Sequence, residues 1–321
     1  MKPYILFALF IPVIFSTKVD AQCCGAGNPL NGFGDVSGIQ RKMLQISPYY
    51  KYSYSDQYYQ GSKKADVSPD KMFYNFASID LAYGLSNRMS IHGQIGYFIN
   101  KTKLYNIEGW SDMTGFGLGD AEFNLRYSLI KNVIKKVEVT PSIGIKLPVG
   151  VFDQEVKDVK LPISLQPSSG SLKYNASVFM SKRFKKYSLS AKVFAEYANR
   201  IQSENFDYKY GNLYVLSIYG SYNITRKLNT MVQVQYESRD NAKRENSQIV
   251  ASSGGQVVYL IPQLSYIIMD DLAASVDAFV PLYRYMNGIQ IANKFSLSLR
   301  ITKSFNFNKY TNNIIDHDKF E

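Results

Sequence analysis

Segments of about eleven residues in which apolar and polar side chains alternate recur along the whole length of this chain. Successive side chains of a β-strand point to opposite faces, so each such segment reads as a strand with one apolar and one polar face. Ala121, Phe123, Leu125 and Tyr127 oppose Asp120, Glu122, Asn124 and Arg126. Val137, Val139, Pro141, Ile143, Ile145 and Leu147 oppose Glu138, Thr140, Ser142 and Lys146. The same holds for Leu189, Ala191, Val193, Ala195 and Tyr197 against Ser188, Ser190, Lys192 and Glu196, and for Phe295, Leu297, Leu299 and Ile301 against Ser296, Ser298, Arg300 and Thr302. The pattern places strands near 41–54, 73–83, 89–99, 118–128, 137–147, 171–181, 187–198, 211–222, 228–238, 255–267, 272–282 and 294–305. Most are about twice the common soluble strand length and match a tilted membrane-crossing strand.

Alternation alone also fits a soluble sandwich, and the connections separate the two. Short connections at 84–88, 129–136, 182–186, 223–227 and 268–271 alternate with long ones at 55–72, 100–118, 148–170, 199–210, 239–254 and 283–293. Membrane barrels show this arrangement, with short periplasmic turns and longer extracellular loops. The expected fold is therefore all-β: a closed antiparallel transmembrane β-barrel of about twelve strands, with both ends of the chain on the periplasmic side.

Such barrels hide in hydropathy because outward apolar residues alternate with inward polar ones, and the mean hydropathy is only −0.20. Beyond the N-terminus, no stretch approaches the roughly 20 apolar residues of a spanning helix. Lys2 followed by the apolar run Tyr4 to Phe15 and by Val19-Asp20-Ala21 reads as a signal peptide over 1–21. The expected organisation continues with a periplasmic segment over 22–40, the barrel over 41–305 and a periplasmic tail over 306–321. The chain is rich in aromatics, with 26 Tyr and 19 Phe. Tyr83, Tyr97, Tyr127, Tyr187, Tyr197, Tyr222, Tyr236, Tyr266 and Phe305 fall near strand ends, where an interfacial girdle is expected. The formal net charge of +11 comes without a basic cluster beside an aromatic platform. Outer-membrane lipid is therefore the expected counter-charge, and nucleic acid is not.

The turn Tyr83-Gly84-Leu85-Ser86-Asn87-Arg88-Met89-Ser90 resembles the Tyr-Gly-Leu-Thr-Asp-Arg-Leu-Ser pattern of a family of outer-membrane transporters associated with the phenol meta-cleavage degradation pathway. Further matches follow in order. Gly117-Leu118-Gly119-Asp120 opens a strand ending Arg126-Tyr127, Lys146-Leu147-Pro148-Val149-Gly150 is similar to Lys-Leu-Pro-Thr-Gly, and Ser168-Ser169-Gly170-Ser171 resembles Gly-Thr-Gly-Ser. The resemblance covers residues 83 to 171. It implies a closed barrel in the outer membrane of a Gram-negative bacterium and a transport role, without naming a substrate.

By alternation the inward, lumen-lining candidates are Asp80, His92, Asp120, Glu122, Arg126, Glu138, Lys146, Lys173, Lys192, Glu196, Glu237, Asp277 and Arg300, with Lys294 on the same polar face. The signs nearly balance, so the interior is either a wet channel or an ion-pair network. His92 and His317 are the only histidines. The Ser90/His92 spacing does not resemble the Ser, His and Asn site of the twelve-stranded outer-membrane phospholipase, and an enzyme is not expected. Adjacent Cys23 and Cys24 are poorly placed to bridge one another. They are the candidates for a metal or for a periplasmic partner, although soft metals need more ligands than this pair supplies. No other cofactor is expected. The expected function is a passive channel or transporter for a small polar or amphipathic solute, the alternative being a structural barrel that anchors a surface or periplasmic partner.

Overall fold

The computed structural model describes residues 21–23, 39–67, 70–106, 111–132, 134–156, 158–203 and 206–307. Most of the expected signal peptide, most of the segment over 22–40, and the tail beyond Phe307 lie outside these residues. Within them the chain forms twelve antiparallel barrel strands. They are β1 (Met43–Ser55), β2 (Lys71–Gly84), β3 (Met89–Leu104), β4 (Met113–Leu118 and Ala121–Tyr127), β5 (Val137–Leu147) and β6 (Lys173–Arg183). They continue as β7 (Tyr187–Ala198), β8 (Leu213–Asn223), β9 (Leu228–Arg239), β10 (Ser252–Met269), β11 (Leu272–Ala292) and β12 (Phe295–Asn306). Each pairs with its neighbour in sequence, and β1 pairs with β12 from Met43↔Asn306 to Tyr54↔Phe295, which closes the sheet. Closure leaves the long barrel strands no unpaired edge.

Burial is inverted relative to a soluble protein. Outward Val193, Leu297 and Ile143 are 50%, 51% and 65% exposed, while inward Lys192 and Ser298 are 4% and 5% exposed. In water each such apolar side chain would forgo about 1.5–3 kcal/mol of burial, so this wall is built for lipid and the soluble sandwich is excluded. Exposed aromatics ring both ends. Tyr127, Tyr187, Tyr222, Tyr266 and Phe305 stand beside the short turns, and Tyr97, Tyr174, Tyr197, Tyr214 and Tyr283 stand toward the long loops. Along β7 the step from Tyr187 to Tyr197 rises ~33 Å; at a barrel tilt of ~40° this gives the ~25 Å of an outer-membrane apolar band.

The short turns are tight and satisfied locally. The Ser86 hydroxyl accepts from the backbone N–H groups of Arg88 and Met89, and Thr225 does the same for Lys227 and Leu228. At the other end the strands outrun expectation. The long loop expected at 283–293 is instead strand: β11 continues to Ala292 past a bulge at Leu282, and its last residues pair with Gln57–Gly61. The alternation persists there beyond the lipid band, so the pattern marks a strand but not where the membrane ends. Lys294, expected to point inward, sits instead at the rim, half-exposed and paired with Asp56 at 2.6 Å. Ala21–Cys23 lies parallel beside Ser252–Gly254 at this same end. The Cys23 side chain and all of Cys24 fall outside what is described. Among the described residues no group of three or more His, Cys, Asp or Glu is placed to hold a metal.

Candidate channel interior

The inward candidates fall into unlike sectors. On β4 to β7 the charges are dense. Lys146 Nζ lies 3.2 Å from Glu122 Oε2 and 2.7 Å from Glu196 Oε2. Glu122 Oε1 also accepts from Asn124 Nδ2 at 2.8 Å and Asn175 Nδ2 at 3.3 Å. Lys173 is 1% exposed and lies 3.7 Å from Asp120 Oδ2. Its ammonium also faces the Tyr210 ring, 4.9 Å from the centroid. Glu138 accepts from Thr140 Oγ1 at 2.8 Å and Ser128 Oγ at 3.3 Å. Lys192 sits 5.5 Å from the Phe194 ring, and Arg126 lies in register with Ser90 on one side and Ser142 on the other.

On β8 to β11 the interior is an amide and aromatic surface. Gln233 Nε2 donates to Ser217 Oγ (3.2 Å) and to Gln235 Oε1 (2.6 Å), and Gln235 Nε2 donates to Glu237 Oε1 (2.7 Å). Beside this relay Val257, Tyr259, Ile261 and Phe279 pack together. Asp277 accepts from the Ser298 hydroxyl.

A third sector, on β12 and β1 to β3, mixes both. Arg300 is ion-paired with Asp80 and stacks over Tyr49. Asp80 also accepts from Gln94 Nε2 at 2.5 Å. His92 Nε2 and Ser90 Oγ are 3.1 Å apart, a pair embedded in a strand face. Tyr49, Tyr74, Phe76 and Phe98 form a buried aromatic cluster.

The segment between β5 and β6 lies across the long-loop end of the barrel. Asp120, in the break within β4, accepts from Ser168 Oγ (2.7 Å), Ser169 N–H (2.9 Å) and Ser169 Oγ (2.5 Å). Lys101 Nζ donates to Gln166 O at 2.8 Å. Leu161 and Leu165 wedge against Met72 of β2 and Ile291 of β11. The backbone passes so close to β4 that a Cβ on Gly115 would meet Leu165 O at 2.1 Å. Outside the spanning strands, Asp70 anchors the rim. Burial pushes its carboxyl up, but Tyr58 OH at 2.5 Å, Asn106 N–H at 3.0 Å and Lys103 at 3.0 Å outweigh that and hold it below the usual carboxylate range.

Three features lie outside the residues singled out in the sequence. Lys51, buried with its ammonium 3.7 Å from the Phe279 ring centroid, alternates correctly with Tyr50 and Tyr52 and was legible. Lys101 was not, because an irregularity between Phe98 and Lys101 shifts the phase of β3. The segment across the mouth carries no periodic signal.

An apolar wall, a polar interior and end-to-end closure define the outer-membrane class of β-barrel. The fold is shared with the COG4313 outer membrane channel from Pseudomonas putida F1, with a TM-score of 0.69 at 15% identity over 86% of this chain and 100% of that one. The NanC porin aligns with a TM-score of 0.45 at 15% identity over 82% of this chain and 98% of its own. The KdgM porin, in complex with disordered oligogalacturonate, aligns at 0.46 and 8% identity over 81% and 99%. No protein-family model and no curated protein matches the sequence.

Proposed function

We propose that this protein is a channel in the outer membrane of a Gram-negative bacterium, passing a small polar or amphipathic solute through the barrel lumen. The observation that carries this reading is the lining: hydrogen-bonded charges on β4 to β7 face inward together with the amide and aromatic surface of β8 to β11. A solute with a charged or polar head and an apolar body meets complementary groups on both. The resemblance to the phenol meta-cleavage family supports a transport role and names no solute. The segment at 148–172, held by Asp120 and Lys101, forms the constriction at the long-loop mouth.

Fixed charges in a narrow pore bias its ion population. Replacing Arg126 and Arg300 with Ser should therefore make single-channel currents in planar bilayers more cation-selective. Asp120→Asn with Ser169→Ala should raise conductance by loosening the segment at the mouth. No single-channel conductance from folded protein, wild type or variant, would overturn the channel reading in favour of an anchoring barrel.

A further inference from the structure

The two ends of the barrel differ in charge. At the long-loop end cations and carboxylates are mixed, as in Arg200 with Asp207 and Lys294 with Asp56. At the other end the turns at 129–136, 182–186 and 223–227 carry Lys and Arg and not one Asp or Glu. These turns are consecutive around the barrel and joined edge to edge. Arg183 N–H donates to Lys136 O at 3.0 Å, Asn223 N–H donates to Lys186 O at 2.8 Å, and Lys182 Nζ reaches Lys135 O at 2.7 Å. The result is a continuous basic crescent whose exposed heads are Lys135, Lys136, Lys185, Lys186, Arg226 and Lys227. Among the described residues, the acids nearest this end are Glu138, on the inward face and accepting from Ser128 and Thr140, and Asp270 and Asp271, which lie on a different turn, with Asp271 taken up by Lys303 at 2.8 Å.

The crescent is not purely polar. Ile134, next to Lys135, is 94% exposed, and Ile224, on the same turn as Arg226, is 50% exposed. Just toward the lipid band, Phe184 stacks on Tyr187 at 4.3 Å. Apolar tips beside cations, directly under an aromatic ring, are what lies at the boundary between headgroups and acyl chains. Basic side chains placed there are drawn to anionic lipid. From this we infer that the crescent binds the phosphate headgroups of anionic phospholipids in the leaflet at the short-turn side, giving the barrel one preferred lipid sector. This requires only that the short turns meet the membrane surface, and holds whether or not the lumen conducts.

The test uses the folded barrel in phosphatidylcholine vesicles containing trace spin-labelled phosphatidylglycerol or, separately, spin-labelled phosphatidylcholine, comparing the fraction of each immobilised at the protein. The wild type should favour phosphatidylglycerol about fivefold at low salt, the factor one basic side chain contributes beside an anionic surface. The preference should fall toward one in high salt. Lys135→Ser, Lys136→Ser, Lys185→Ser and Lys186→Ser together should abolish it. Lys63→Ser, Lys64→Ser, Lys243→Ser and Arg244→Ser, which remove as many charges from the long-loop end, should leave it unchanged. The wild-type salt titration needs no variant to fold. No preference in the wild type, a preference indifferent to salt, or equal loss in both quadruple variants would overturn the inference. So would binding of soluble polyglutamate without any lipid preference, which would point instead to an acidic periplasmic partner.

Discussion

Inside the barrel, the faces of β4 to β7 and of β8 to β11 bury polar groups by different means. On the first, Lys146 is clasped between two carboxylates, and Lys173 lies against Asp120. On the second, Ser217, Gln233 and Gln235 hand a chain of neutral hydrogen bonds to Glu237. An ion pair deprived of one member leaves an uncompensated charge, whereas a buried amide relay deprived of one member leaves neutral polar groups short of a partner, the smaller of the two penalties. The charged sector is therefore the more fragile.

Confining that contrast to the inward face gives the largest expected effect. Val193→Arg on β7 and Val234→Arg on β9, both outward near strand midpoints, should each destabilise by about 2–4 kcal/mol. Inward Ser190→Arg should cost clearly less. Denaturant unfolding in liposomes measures all three, and unequal costs for the two outward changes would move the difference from the lumen to the wall. Next in size, Lys146→Met should cost about 2–3 kcal/mol, toward the lower end for a broken buried pair because the lysine is partly exposed. Gln235→Leu, its counterpart in the relay, should cost about 1–2 kcal/mol, because buried Gln233 and Glu237 each lose a partner. Equal losses for Lys146→Met and Gln235→Leu would erase the distinction.

The smallest effect lies at the rim, outside both sectors. The Asp70 carboxyl is held below its ordinary value of 3.8. Its contacts with Tyr58, Asn106 and Lys103 therefore stabilise fully above about pH 4 and are lost as pH falls through the lower folded value. Asp70→Asn should remove about 0.5–1 kcal/mol locally, the scale of the hydrogen bonds it would weaken without abolishing them. Faster amide exchange at 57–64 without any change in the cost of Lys146→Met would place the rim outside the contrast, and coupling between them would extend the charged sector to the mouth.

Alternation carried most of the fold. It located all twelve strands and put Glu122, Lys146, Glu196 and Arg300 on the inner face, because a period of two is a property of the backbone and survives any choice of side chain. It failed where the backbone departs from that period: at the irregular stretch before Lys101, at the bulge at Leu282, and at the Gly119-Asp120 break. The pairing of charges was illegible for another reason. Lys146 and Glu196 are 50 positions apart, and which lysine meets which carboxylate depends on register and tilt, which the inward pattern does not encode. The segment across the mouth was hidden because Leu161 and Leu165 are buried by tertiary contact, and no repeat announces it.

The seam between β1 and β12 sets the order in which the barrel must be made. The hydroxyls of Ser47 and Thr302 meet at 3.0 Å although 255 positions separate them in the chain. Bringing two such distant ends together unaided would cost on the order of 5 kcal/mol in chain entropy, whereas each of the other strand pairs forms between neighbours in sequence. Hairpins therefore zip first, and the seam joins last. Until it joins, the growing sheet carries two bare edges and a lipid-facing surface of Val, Leu, Ile and Tyr. The interval between synthesis and closure is thus the period in which this chain is most open to aggregation, and the rate of the final joining step sets how long that period lasts.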